Sequence, residues 1–315
     1  MLREGRVSNA NTSARMPNFF IIGAAKAGTT STWRQLEQHP EIYMHPKKQL
    51  NFFALEGENR DFRGPGPRDS TLHSVTTVEA YRKQFGGVST ETAVGEASNL
   101  YLYNPRAAGR IRHYAPDARL IAVLRHPADR AYSRFLHLVR EGREPLTDFG
   151  RALDEEEKRI RDRWWPDFHY LHMGLYYAQL RRYLDVFPRN QIKIYLQEDL
   201  RSDPYGVLRD MFGFLGVDET FMPDTSVKYN VSGVPKSRLL HQLLQRSRSV
   251  RPFVERFLPE KQRQRILRVA SNIHNRNLTK PELPPEVRGR LIEGYREDTL
   301  KLQELIGRDL TAWLR

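Results

Sequence analysis

The chain has 315 residues and contains no cysteine. This length can bury the core of one large α/β domain or two small ones, and the lack of cysteine excludes disulfides and thiolate metal sites. Lysine and arginine outnumber aspartate and glutamate by 51 to 38, which gives a formal net charge of +13. Such a surface favours anionic partners, namely nucleic acid, acidic lipid, acidic polysaccharide or a nucleotide with several phosphates.

No run of about twenty apolar residues is present, so the sequence predicts no membrane span. The first fifteen residues are polar and lack the apolar core of a secretory signal, which predicts a disordered segment over 1–16. Residues 17–315 are predicted to form a single domain with a basic, helical C-terminal part from about 235. Together these features favour a cytoplasmic protein.

Predicted strands alternate with predicted helices along most of the chain. The predicted strands are 19–22, a short extended piece within 39–44, and then 93–96, 119–124 and 191–196. The predicted helices begin at Thr30 or Ser31 and then cover 78–85, 105–114, 127–141, 147–162, 174–187 and 204–215, with a surface loop over 54–74. This alternation predicts an α/β fold with a central parallel sheet covered on both faces. Functional residues then belong at the carboxyl ends of the strands.

The loop after the first strand has the pattern of a phosphate-binding loop. The apolar run 19–22 stops at Gly23, and Lys26, Gly28 and the four hydroxyl residues 29–32 follow. A strand, a glycine loop and a helix N-terminus direct backbone N–H groups and the helix dipole at one spot. The lysine precedes the second glycine, whereas the P-loop of nucleoside triphosphatases has its lysine directly after that glycine. A plain glycine turn with an exposed lysine is the alternative.

The order Lys-x-Gly-Thr-Thr after a strand resembles the 5′-phosphosulfate loop of sulfotransferases that use 3′-phosphoadenosine 5′-phosphosulfate (PAPS). The resemblance implies a P-loop-like three-layer α/β/α fold, PAPS as donor, 3′-phosphoadenosine 5′-phosphate (PAP) as product, and no metal. It also implies that the donor is held by six consecutive residues: Lys26, Ala27, Gly28, Thr29, Thr30 and Ser31. The lysine would provide positive charge to the leaving phosphate, and glycine lets the backbone approach it.

A second segment, 124–135, follows the predicted strand 119–124. It resembles the 3′-phosphate segment of the same superfamily, R-x-P-x-x-R-A-x-S, with Arg125 at the strand end and Ser133 two turns into the next helix. A bidentate guanidinium and a hydroxyl suit a phosphate monoester. A basic amphipathic helix without a ligand is the alternative. Lys236 and Arg238 fall where relatives close a basic loop over the nucleotide, which implies further 3′-phosphate contacts.

The candidate base lies in the segment 94–101. It resembles the G-E-x-[ST] segment of the heparan-sulfate-type branch, which implies that Glu96 is the base, although Ala97 stands where that branch often has lysine. Nearby lysines would lower the pKa of Glu96 and burial would raise it, and the sequence leaves this open. The alternative base is one of three histidines: His45, His113 or His126.

Two weaker resemblances concern the acceptor. Residues 45–53 resemble K-E-x-x-F-F with Gln49 in place of the acid, which implies that Lys48 contacts the sulfuryl group or the acceptor. Phe53 of this segment and Tyr176 of the family's G-x-Y helix would line the acceptor site. A packing role is open for both rings.

The sequence therefore predicts sulfuryl transfer from PAPS to a hydroxyl or amine, with in-line attack assisted by a glutamate base. The acceptor could be a saccharide, lipid, peptide or small molecule, and neither nucleic acid nor a membrane span is expected. One alternative is a kinase of related fold, which predicts a lysine directly after Gly28. Another is a nucleic-acid-binding protein, which predicts a recognisable binding module.

Overall fold

The structure is a computed structural model that describes residues 15–59, 61–65, 74–226, 233–235, 278–279 and 281–315. Residues 1–14 of the segment 1–16 that is predicted to be disordered, the donor contacts of Lys236 and Arg238, and the predicted helices within 236–277 lie outside the described residues. Within the described part, no helix has the length and apolar character needed to cross a membrane. The single-domain boundaries and the cytoplasmic location stay predictions.

Five parallel strands form the central sheet in the order β2-β3-β1-β4-β5. Their bounds are β1 Phe19–Gly23, β2 Ile42–Met44, β3 Ala93–Ala97, β4 Arg119–Leu124 and β5 Ile192–Leu196. β6 (Val234–Pro235) and β7 (Leu278–Thr279) pair separately and antiparallel. β1 is buried along its whole length, and β4 is buried except at Arg119. These strands are continuous apolar runs because helices cover both faces of the sheet.

Helices follow each strand of the central sheet. In the described part of the chain the α-helices are α1 Thr29–Leu36, α2 Phe52–Leu55, α3 Val78–Lys83, α4 Leu100–Tyr103, α5 Ala107–Tyr114, α6 Pro127–Arg140, α7 Phe149–Asp154, α8 Glu156–Arg161, α9 Tyr176–Leu184, α10 Gln197–Ser202, α11 Pro204–Leu215 and α12 Pro285–Ile306. The 3-10 helices are Pro166–Phe168, His172–Gly174, Arg189–Gln191 and Thr311–Leu314. The predicted three-layer α/β/α fold with a central parallel sheet is confirmed.

Several predicted bounds are wrong, and each has a local cause. The predicted helix 147–162 is two short helices that meet at Glu155, and the predicted helix 174–187 is shortened to α9 because a 3-10 turn precedes it. The helix predicted over 105–114 begins two residues later, and the short α4 before it was not predicted. Residues 104–106 separate the two, since Pro105 cannot donate the backbone hydrogen bond that a continuous helix requires.

The C-terminal helix α12 packs against α6 and against the segment before α9. Pro285 stands in its first turn, where a missing N–H leaves no hydrogen bond unmade. Tyr295 is buried and donates its hydroxyl hydrogen to the carbonyl of Leu171 at 3.0 Å. Arg288 forms an ion pair with Asp129 of α6 at 2.6 Å. The last described segment therefore packs against the helix that follows β4.

The close contact of β1 and β3 depends on a glycine. A Cβ on Gly95 would lie 2.3 Å from Cζ of Phe19, whereas one on Gly109, in the exposed part of α5, would meet nothing within 4 Å. We therefore expect Gly95→Ala to lower the free energy of unfolding by about 1–3 kcal/mol. The matched Gly109→Ala should raise it by about 0.5–1 kcal/mol. Urea denaturation of both variants measures this, and equal stabilities would contradict the packing described.

Candidate functional site

The loop between β1 and α1 ends in an unusual backbone conformation. Gly28 caps α1 with φ 108° and ψ −1°, and Lys26 has φ 68°. Glycine adopts such left-handed angles without steric cost, so Gly28 is the residue type that this turn requires. The first turn of α1 contains no acidic residue, and no side chain caps it. The positive end of the helix dipole therefore faces the loop without a neutralising carboxylate.

Hydroxyl groups of the first turn of α1 hold the second predicted lysine in place. Lys48 Nζ donates to Thr30 Oγ1 at 3.0 Å and to Thr29 Oγ1 at 3.3 Å. Thr29 in turn donates to Asn99 Oδ1 at 2.9 Å, at the end of β3. The structure thus brings Lys48 to the predicted phosphosulfate loop, although the two are separated by about twenty residues in sequence.

Both lysines are in an electrostatic environment that opposes their charge. Burial, together with the positive charges of Arg134, Arg140 and Arg125, lowers the pKa of Lys26 to about 7. Burial, with Arg34 as a second cause, lowers the pKa of Lys48 to about 7. Part of each lysine side chain still reaches the surface. Several cations therefore surround one loop, an arrangement that a multiply charged anion would stabilise.

The predicted 3′-phosphate arginine also contacts this loop. Arg125 follows β4, which neighbours β1 in the sheet, and its Nη1 donates to the carbonyl of Lys26 at 3.1 Å. The side chain is buried, and burial lowers its pKa. Ser133 lies on α6 and is also buried. Both residues belong to the strand-to-helix unit that the sequence predicted, and their contact with a phosphate stays a prediction.

Glu96 lies near the end of β3, next to β1, and has no exposed surface. Its Oε1 accepts hydrogen bonds from Tyr81 at 2.9 Å and from Tyr101, and its Oε2 accepts one from Ser98 at 2.8 Å. Burial raises the pKa of Glu96, and the three hydroxyl donors oppose that rise. The pKa of Glu96 is therefore raised, because desolvation outweighs the hydrogen bonds.

The other proposed site residues lie in structural positions. Phe53 and Tyr176 are fully buried, so acceptor contact would require the site to open, and that role stays a prediction. Tyr176 donates to the carbonyl of Arg125 at 3.1 Å and so positions that residue.

Two of the alternative bases have one ring nitrogen occupied by a local hydrogen bond. His45 accepts from the backbone N–H of Lys47 in a turn, and His126 accepts from the backbone N–H of Ala128 at a helix cap. His113 is exposed on α5.

The comparison with known proteins agrees with this geometry. The family model described as "Sulfotransferase family" matches residues 17–221, which contain every element of the central sheet. The chain belongs to the sulfotransferase family.

Individual sulfotransferases are similar over different shares of the chain. A crystal structure of a sulfotransferase from Alicyclobacillus acidocaldarius is 38% identical, with a TM-score of 0.76 over 96% of this chain and 100% of that one. The membrane-associated sulfotransferase kil1 of Dictyostelium discoideum is 23% identical over 283 residues, covering 64% of this chain and 56% of that protein. The human bifunctional heparan sulfate N-deacetylase/N-sulfotransferase 3 is 28% identical over 222 residues. This match covers 67% of the present chain and only 23% of the human protein.

Some residues of this sulfotransferase site were missed by sequence reasoning. Asn99 and Tyr101 come shortly after β3, which ends at Ala97, so their position near a strand end was a usable signal. Arg134 follows Ser133 in the same helix, and the basic character of that helix was visible. Tyr81 lies fifteen residues before Glu96 on α3, and nothing in the local pattern links the two.

The lysine environment predicts unusual titration in the ligand-free protein. We expect Lys26 and Lys48 to lose their protons with midpoints near pH 7, because burial and neighbouring cations disfavour the charged form. Competitive acetylation across pH, followed by mass spectrometry, measures each midpoint. Lys301 is the control, since its hydrogen bond to Glu297 raises its pKa. A midpoint above about 9 for Lys26 would contradict the described environment.

Proposed function

We propose that the protein transfers the sulfuryl group of PAPS to a hydroxyl or amino group of an acceptor. The observation that carries the proposal is the convergence of Lys26, Lys48 and Arg125 on the β1–α1 loop, in a chain of the sulfotransferase family. The positive charges of the site match the negative charges of the donor. Two lysines with lowered pKa values and a buried arginine surround a helix N-terminus, where anionic phosphate and sulfate oxygens are stabilised.

PAPS supplies an activated sulfuryl group whose bond to the 5′-phosphate breaks as the acceptor attacks sulfur. Lys26 and the amides of residues 27–31 would bind the 5′-phosphosulfate and stabilise the negative charge that develops on the leaving phosphate. Lys48, held by two threonine hydroxyls beside the loop, would contact the sulfuryl oxygens. Arg125 and Ser133 would bind the 3′-phosphate, with Lys236 and Arg238 as further contacts beyond the described residues.

We further propose that Glu96 accepts the proton that the acceptor loses. Two features support this role: its place near the end of a strand adjacent to β1, and a pKa that burial raises toward the range suited to a general base. The carboxylate is enclosed, so the proton would reach it through one of the hydroxyls that contact it, such as Ser98. The new acceptor–sulfur bond forms as the bond between sulfur and the bridging 5′-phosphate oxygen breaks, PAP leaves with that oxygen, and the proton ends on the glutamate.

The kinase alternative finds no support in the site. Thr29 stands directly after Gly28, where a kinase-type P-loop has its lysine, and the family comparison also favours sulfuryl transfer. The name of the human relative mentions heparan sulfate, but the chain spans 23% of that protein. A saccharide acceptor is therefore only one of the possible acceptor classes for this chain.

Calorimetric titration with PAP tests the donor assignment. We expect PAP to bind much more tightly than 5′-AMP, since the 3′-phosphate would meet Arg125. Arg125→Ala should weaken PAP binding by about 30- to 100-fold, because a charge-assisted pair is lost. PAP affinity should also fall as the pH rises above 7, because the two lysines lose the charge that attracts the anion.

The matched control is Arg161→Ala, which removes an exposed arginine from α8 and should leave PAP affinity unchanged. Equal binding of PAP and 5′-AMP would contradict the assignment of Arg125. If the wild-type protein does not bind PAP at all, the whole donor proposal is wrong.

The role of Glu96 is tested by kinetics. Glu96→Gln should lower kcat by about 10²–10⁴-fold while PAP affinity changes little, because a base is lost and the donor site is kept. The wild-type rate should increase with pH through the pKa of Glu96. Tyr81→Phe should move this limb to higher pH, because it removes a hydrogen bond that stabilises the carboxylate.

Glu156→Gln is the matched control, since Glu156 is also a buried carboxylate but lies on α8 and caps the turn at Leu171. A folded Glu96→Gln variant with the wild-type rate would show that Glu96 only supports the structure.

A further inference from the structure

The C-terminal helix α12 supplies a cap for α9. Leu175 precedes α9 and provides no side-chain cap, and the first turn of α9 contains no acidic residue. Asp298 of α12 takes this role, because its two carboxylate oxygens accept from the backbone N–H of Tyr177 at 3.2 and 3.1 Å. The first N–H groups of a helix have no partner within the helix, so an anionic acceptor from outside stabilises its N-terminus.

The capping carboxylate is partly buried against α9. Burial raises the pKa of Asp298 to about 6, while backbone hydrogen bonds from residues 176–178 and the positive charge of Lys301 oppose this rise. The carboxylate therefore carries its charge at neutral pH. A charged acceptor holds N–H groups more firmly than a neutral one, so the cap fixes the first turn of α9.

Tyr176 transmits the position of α9 to Arg125. Its side chain is fully buried, and its hydroxyl donates to the carbonyl of Arg125 at 3.1 Å. That carbonyl lies between the end of β4 at Leu124 and the start of α6 at Pro127. The hydrogen bond therefore fixes the backbone from which the Arg125 side chain extends. Arg125 Nη1 in turn donates to the carbonyl of Lys26 in the donor loop at 3.1 Å.

The last turn of the chain supports the same two residues. Trp313 is buried, and its ring centroid lies 6.2 Å from that of Tyr176 and 6.1 Å from that of His126, which follows Arg125. Aromatic rings at this separation are in packing contact. The segment 281–315 lies outside the range 17–221 that the family model matches, so membership of the family does not imply these contacts.

We propose that Asp298 is a positioning residue for donor binding. By capping α9 it holds the hydroxyl of Tyr176 against the backbone of Arg125, and it thereby sets the guanidinium at the place of the 3′-phosphate. The inference rests on the proposed function, since it requires a ligand with a 3′-phosphate. Asp298 acts through Tyr176 and does not bind the nucleotide itself, so its effect is confined to ligands that use Arg125.

Loss of the cap would leave N–H groups of α9 without their acceptor. A helix cap generally changes a conformational equilibrium by a factor of about two to thirty. The arrangement in which Tyr176 contacts Arg125 would therefore be less populated. The affinity for a ligand that needs this arrangement falls in proportion to its population, whereas a ligand without a 3′-phosphate is unaffected.

Calorimetric titration with PAP and with 5′-AMP tests this role. We expect Asp298→Ala to weaken PAP binding by about three- to tenfold and to leave 5′-AMP binding within about twofold of the wild type. A merely structural cap would change the affinities for both nucleotides equally, because both contain the 5′-phosphate. Asp298→Asn retains one oxygen acceptor without the charge, so it should cause a smaller loss of PAP affinity.

A double-mutant cycle shows whether Asp298 acts through Arg125. In the Arg125→Ala background, adding Asp298→Ala should change PAP affinity by less than about twofold, because the guanidinium that it positions is gone. Tyr176→Phe removes only the hydroxyl and should reproduce the selective loss of PAP affinity. Glu293→Ala is the matched control, since it removes an exposed carboxylate from the same helix and should change neither affinity.

Thermal unfolding followed by circular dichroism identifies the folded variants. If Asp298→Ala does not fold, Asp298→Asn and Tyr176→Phe provide the same comparison of PAP with 5′-AMP. Unchanged PAP affinity in the folded variants, or an equal loss for both nucleotides, would overturn the inference. Full additivity with Arg125→Ala would also overturn it. Failure of the wild-type protein to bind PAP would instead overturn the donor proposal on which the inference rests.

Discussion

Burial of a lysine among other cations at one short loop is the constraint on which the site depends. Burial is the largest cost of the Lys26 charge, and the positive charges of Arg134, Arg140 and Arg125 add to it. The folded chain holds these groups together because the surrounding sheet and helices leave them little freedom to separate. Together these costs lower the pKa of Lys26 to about 7. A bound anion with several charges would stabilise the charged form of Lys26 and offset the repulsion among the cations. The unfavourable electrostatics of the site therefore favour binding of such an anion.

The parallel sheet explains why these residues meet. β3, β1 and β4 are neighbours, and their carboxyl ends lie at one edge, so the segments that follow them converge. The hydroxyl of Tyr176, at the start of α9, donates to the backbone carbonyl of Arg125 and so fixes the backbone at that residue. Asp298 of α12 accepts from the backbone N–H of Tyr177 at 3.1 Å, which secures the same helix. The described C-terminal helix thus supports a residue that the sequence places far from it.

The hydrogen bonds to Glu96 lie within an otherwise aromatic part of the core. Phe53 packs edge-on against Tyr101 at 5.4 Å and against Tyr81 at 5.2 Å, and both tyrosines direct their hydroxyls to Glu96. The aromatic rings exclude water and raise the pKa of the carboxyl group, while the hydroxyls keep it oriented.

The strands of the central sheet, the order of the main helices and the strand-end positions of Lys26, Glu96 and Arg125 could be predicted from the sequence. These follow from local patterns, since a buried parallel strand must be apolar and a phosphate loop must carry glycine at a left-handed position. The hydrogen bonds of Lys48 to Thr30, of Tyr81 to Glu96 and of Tyr176 to the carbonyl of Arg125 could not be predicted from the sequence and are seen in the fold. Sequence patterns report which face of an element is buried but not which distant side chain meets it. Contacts across the sheet, and the pKa values that burial sets, therefore appear only when the chain is folded.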